Sequence, residues 1–165
     1  MPNTFELIAS STAGSGGVAD FTFTSIPATY TDLCVKISLR SSISTNDAKI
    51  EFNGVSTNLS ERAIGGNGSS TYSFNDSLIN PLVNPSTFTS NTFTSSEFYI
   101  PNYAGSTYKS VSLDSVQETN ATAANAILTA ALWSNTAAIT SIKIAPSSGN
   151  FTQYSTAYLY GVKNA

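Results

Sequence analysis

In three successive stretches of its last third, this chain changes side-chain character at every second residue, a period that only β-strands read as two faces. Residues 124–133 run up to a turn at Ser134-Asn135-Thr136. Residues 139–145 carry Ile142 and Ile144 two apart and stop at Pro146. After a Ser-Ser-Gly-Asn loop, residues 155–162 set Tyr158, Tyr160 and Val162 on one side and Ala157, Leu159 and Gly161 on the other. Proline and Gly-Asn punctuation between such runs predicts an antiparallel meander. The last of the three is expected to be held in a sheet and not to fray.

The same period recurs upstream. Residues 4–10 place Phe5, Leu7 and Ala9 opposite Glu6 and Ile8, and residues 18–24 place Ala19, Phe21 and Phe23 together. Residues 32–41 are the cleanest case: Leu33, Val35, Ile37 and Leu39 face inward, and Lys36 and Arg40 face water. Ile50 and Phe52 precede Asn53-Gly54, a pair whose tolerance of positive φ predicts a tight hairpin returning through residues 55–64. Residues 92–100 stop at Pro101, a small-residue turn follows, and residues 108–118 alternate around Val111 and Leu113, with Asp114 on the wet side. Residues 65–85 read as a glycine-rich loop and then a surface excursion broken by Pro81 and Pro85. Tyr72, Phe74 and Leu82 there are candidates for contact with a neighbour, against the alternative that the excursion packs on its own domain.

About nine or ten short strands at this spacing, with no fixed-period repeat, predict an all-β fold: a single antiparallel β-sandwich over residues 1–165, jelly-roll-like. At 165 residues the chain buries about two-thirds of the surface its unfolded form exposes, so it needs neither disulfide nor metal to fold. Charge is scarce, at 10% of residues, whereas Ser and Thr supply 48 of the 165. An apolar fraction of 41%, with 8 Tyr and 9 Phe, is enough for a packed core and argues against disorder. A net charge of −3 without a basic patch gives no footprint for nucleic acid. No apolar run approaches the ~20 residues that span a bilayer, and no secretory signal opens the chain.

Chemistry finds little to work with. The chain has no histidine, which removes Ser-His-Asp and Cys-His nucleophiles and zinc sites built on His and Cys. The single cysteine, Cys34, has no partner for an internal disulfide and is expected to be a small buried apolar residue. The acids Asp47, Glu51, Glu61, Glu97, Asp114 and Glu118 include no pair forced together by spacing. Asp114 and Glu118 share a strand face but sit about 13 Å apart by the strand rise, too far for paired-carboxylate sugar cleavage. Gly14-Ser15-Gly16-Gly17 lacks the lysine and following helix of a phosphate loop. Residues 44–47 and Asn75-Asp76 offer oxygen donors, but too thinly for a calcium loop. The expectation is a non-enzyme without cofactors or metal.

Three pieces of the C-terminal third carry a resemblance: Trp133 with Ile139-Thr140-Ser141-Ile142, Gly149-Asn150-Phe151, and the final Ser155-Thr156 to Leu159-Tyr160-Gly161. With Tyr99-Ile100-Pro101-Asn102-Tyr103-Ala104-Gly105-Ser106 and the opening Pro2-Asn3-Thr4, they span most of the chain. This set resembles small all-β virion structural proteins of tailed bacteriophages, of the cyanophage and marine-phage type. The resemblance implies a virion protein assembled in the host cytoplasm. Hydroxyls, amides and tyrosines make contacts that salt does not screen, which is consistent with the outside of a particle in seawater.

Two functions follow. One is a capsid decoration or cement protein, a homotrimer capping junctions between major capsid protein subunits. A chain read as complete, with no attachment segment, favours it. The other is the tip of a tail fibre or adsorption protein binding a cell-surface glycan. For either, the residues named for partner contact are Tyr72, Phe74 and Leu82 and the turn residues Asn102 and Tyr103.

Overall fold

The computed structural model describes residues 4–121 and 124–163, and these form β-strands and loops without helix. The strands are β1 (Phe5–Thr12), β2 (Phe21–Phe23), β3 (Asp32–Ser38), β4 (Ala48–Phe52), β5 (Leu59–Gly66), β6 (Thr71–Asp76), β7 (Ser95–Pro101), β8 (Lys109–Glu118), β9 (Ala124–Trp133), β10 (Ile142–Pro146) and β11 (Thr156–Val162). They build an eight-stranded sheet in the order β1-β11-β3-β7-β8-β9-β5-β6 and a three-stranded sheet in the order β2-β10-β4, all antiparallel. The two sheets form the expected β-sandwich.

The pairing is nested. β1 lies beside β11 while β2 lies beside β10, and β3 and β4 flank the same two strands on their far sides. This is the winding of a jelly roll, with β8, β9, β5 and β6 extending one sheet. The predicted C-terminal meander is therefore replaced by crossovers. β9 and β11 belong to the large sheet and β10 to the small one. Ile142 and Ile144 are fully buried against the large sheet, which a strand edge-on to β9 would not achieve. β11 is held between β1 and β3, as expected.

The core fills the gap between the sheets. Leu33, Val35, Ile37 and Leu39 all point into it, with Phe98, Ile100, Val111, Leu113, Trp133 and Leu159 from the same sheet. Phe21, Phe23, Ile50, Phe52, Ile142 and Ile144 answer from the small sheet. Phe52 meets Trp133 at 5.5 Å between ring centroids, and Phe21 stacks on Phe151 at 5.2 Å. Burying a side chain of this size is worth about 1.5–3 kcal/mol, so this layer contact is the main stabilising term.

Four local expectations change. Phe5 and Leu7 face outward, because the register breaks between Leu7 and Ala9 and the bulge turns Ile8 and Ala9 to the core. Asn53 and Gly54 adopt φ of 54° and 77°, the predicted primed turn. Its hairpin, however, is one rung long: Phe52 and Val55 exchange hydrogen bonds of 3.1 Å, after which the chain leaves β4 for the other sheet. Gly65-Gly66, read as loop, ends β5. A Cβ on Gly65 would lie 2.8 Å from the Tyr72 ring, so the bare backbone is what lets that ring lie flat. Tyr72 and Phe74, in turn, sit on a strand and not in a loop.

The excursion after β6 packs on its own domain. Ala48 N donates to Pro81 O (3.0 Å), Ile50 N to Ile79 O (3.2 Å) and Val83 N to Asn46 O (2.7 Å), laying residues 79–83 along the free side of β4. They act as a fourth member of the small sheet. Pro81 has no N–H to give back, so no regular ladder forms. Ser115 Oγ accepts from Leu82 N at 2.9 Å, and both Glu61 oxygens accept from Asn80, at 3.1 Å each. Arg40, expected to be wet, instead donates to the carbonyls of Ser86, Phe88, Thr89 and Thr92 and gathers the rest of the loop around its guanidinium.

Candidate interaction surface

Of the five residues named for partner contact, two are spent inside the domain. Leu82 is buried within the excursion, and Tyr103 is fully buried, its hydroxyl donating to Pro27 O. Tyr103 is part of the core between the sheets. Asn102 is exposed, in a turn at φ of 50°, and its N–H donates to Asp32 Oδ1 at 2.9 Å. Tyr72 is half-buried, its hydroxyl donating to Asn125 Oδ1 at 2.9 Å, and Phe74 remains 38% exposed. The two rings stack at 6.4 Å on the side of β6 that faces the small sheet.

The surface that alternation did not single out is the outer face of the large sheet. Directly opposed residues share a face, so the register can be read across it. One row runs Tyr158, Lys36, Glu97, Asp114, Leu128 and Ile64 over β11, β3, β7, β8, β9 and β5. At the β11 end Tyr158 and Tyr160 stack at 6.5 Å, and Phe5 meets Tyr160 edge-on at 6.4 Å. At the β5 end Ile64 is 63% exposed, Leu128 54% and Val116 44%, a contiguous aliphatic patch that lines a shallow groove with Ala126 and Ser73. Between the ends lies a narrow band of charge. Isolated exposed apolar residues are ordinary; a contiguous patch rimmed by polar groups marks a contact surface.

That band also contains a carboxylate pair that sequence spacing concealed. Glu97 and Asp114 are directly opposed on β7 and β8. Lys36 Nζ sits 2.7 Å from Glu97 Oε2 and its pKa is raised, mainly by that hydrogen bond. The pair stands on an open face with one member already neutralised, which makes it an ion ladder and not a sheltered acid and base. Cys34 belongs to the same face yet is fully buried between Tyr160 and Tyr99. Burial, with the Glu97 charge as a lesser cause, pushes its thiol up to about 12, so thiolate chemistry is suppressed.

Two buried charges lie elsewhere. Glu61 is raised above its ordinary value by burial, against the opposing hydrogen bonds from Asn80. Lys109 is fully buried at the end of β8 with its Nζ 2.5 Å from Gly105 O, 2.6 Å from Thr107 O and 3.3 Å from Thr136 O. Burial lowers its pKa, and its ammonium lies 6.0 Å from the Trp133 ring. Both staple loops to the large sheet. Among the described residues, no three His, Cys, Asp or Glu side chains gather closely enough to hold a metal ion.

No protein-family model matches the chain, and no curated protein matches it.

Proposed function

We propose that this protein is a structural component of a tailed-phage virion, acting as a decoration or cement protein on the head surface against the major capsid protein. The observation that carries this reading is the outer face of the large sheet. It is broad and apolar at both ends, with Ile64, Leu128 and Val116 exposed together at one of them and Lys36, Glu97 and Asp114 in a band between. Eight strands at about 4.8 Å give a face some 35 Å wide, the scale of a standard protein interface. Such a face suits broad adhesion better than enclosure of a small substrate. The family resemblance supplies the virion, and the jelly-roll winding is compatible with it by analogy alone.

A second reading, adsorption to a cell-surface glycan, draws on a different observation. The stacked Tyr158 and Tyr160 lie beside Lys36, Glu97 and Asp114, an aromatic platform next to polar groups. Antibody-gold labelling of purified virions separates the two. Label spread over the head is the expected result. Label confined to the tail would overturn the decoration reading and direct attention to glycans, and unlabelled intact particles would refute both.

A further inference from the structure

β6 leaves one side of its backbone open. It pairs with β5 through all six residues, and no strand of the described residues lies against its other side. Unpaired N–H and C=O groups on an edge form a template for another strand, and proteins usually block them. The other edges here are blocked. β1 has its register break at Ile8 and an ion pair of 2.8 Å between Glu6 and Lys163. β2 is only three residues long. The free side of β4 is taken by residues 79–83. β6, Thr-Tyr-Ser-Phe-Asn-Asp, has no proline, no lysine and no bulge, and its one charge is at its end.

We infer that a second copy of this chain pairs antiparallel with β6, across a two-fold axis normal to the sheet at Ser73. The register follows from the side chains. Centring on Ser73 sets Tyr72 opposite Phe74 of the second copy, twice, and Thr71 opposite its Asn75. Tyr72 and Phe74 already stack on one side of the strand, and a two-fold keeps that side common to both copies. The result is a four-ring row bridging the axis, which covers the exposed part of Phe74. Asp76 falls opposite Ser70 of the second copy, so like charges stay apart. On the outer face, the Ile64–Leu128 patches of the two copies become neighbours across the Ser73 pair. Ser73 is itself exposed, so its side chain is free to be changed without disturbing the core.

A six-residue edge makes a small interface, so the association is reversible. The test is sedimentation velocity on wild type, Ser73→Lys and Ser73→Glu over roughly 5 to 500 μM, a range that spans weak interfaces of this size. Wild type is expected to rise toward the mass of two chains. Each variant alone sets like charges across the axis and weakens pairing by at least about tenfold, with an unchanged melting curve at dilutions where wild type is monomeric. An equimolar mixture of the two regains the dimer. A second measurement does not depend on charge: Ser73→Cys is expected to form a disulfide-linked dimer on mild oxidation, since Cys34 is buried. A wild type that stays monomeric throughout would overturn the inference, as would a trimer, variants that dimerise like wild type, or a Ser73→Cys chain that does not cross-link.

Discussion

Replacing Lys109 by methionine tests how the loops at the end of β8 are held. The substitution keeps most of the buried stem and removes only the ammonium. Gly105 O, Thr107 O and Thr136 O then lose their shared donor. Leaving a buried acceptor without a donor costs about 1–3 kcal/mol, so three losses amount to about 3–6 kcal/mol near the lower end of that range. Two effects return about half of this: water reaches the exposed Thr107 and Thr136, and the desolvation of a buried ammonium is relieved. The expected net loss is about 2–3 kcal/mol, a melting temperature lower by about 5–10 °C for a chain of this length. Trp133, the only tryptophan, lies beside the ammonium and reports the transition by fluorescence. Urea and thermal unfolding of wild type and Lys109→Met give the difference directly. A methionine variant as stable as wild type, or more so, would refute the stapling argument and mark Lys109 as a buried charge that the fold merely tolerates.

Glu61 and Gly161 give two further tests. Burial raises the folded pKa of Glu61 above its ordinary 4.5, so just above that pH the native state holds a proton that the unfolded state has released, and stability falls as pH rises through the window. Urea midpoints from pH 4 to 8 should therefore drop more steeply for wild type than for Glu61→Gln, and parallel curves would count against it. A Cβ on Gly161 would lie 2.3 Å from the Tyr30 ring, so Gly161→Ala must displace that ring and is expected to cost about 1–3 kcal/mol in denaturant unfolding. An unchanged midpoint would mean Tyr30 relocates freely.

What could be read from the chain follows the two-residue period. Leu33, Val35, Ile37 and Leu39 are buried as their alternation demands, β9 spans the predicted residues, and Asp114 stands on the wet side of β8. Composition and period together are enough to predict β-strands with one wet and one dry face, and a sandwich suits them. Cys34 as a small buried residue was expected from its residue type; alternation puts it on the outer face, and the flanking Tyr160 and Tyr99 are what bury it.

The rest depended on contacts between residues far apart in sequence. Alternation is blind to which sheet a strand joins, so β9, β10 and β11 read alike although the chain crosses the core twice between them. One bulge was enough to reverse the faces of Phe5 and Leu7. Leu82 and Tyr103 looked available because they lie in irregular segments, yet those segments fill the layer that three short strands leave incomplete. The opposed Glu97 and Asp114 and the clustered Ile64, Leu128 and Val116 exist only once the strands are aligned. The sequence determined the strands and their dry faces, since local sterics and burial act within a few residues. Sheet membership, edges and the outer surface were decided by tertiary structure, since only pairing between distant strands sets neighbours on a sheet.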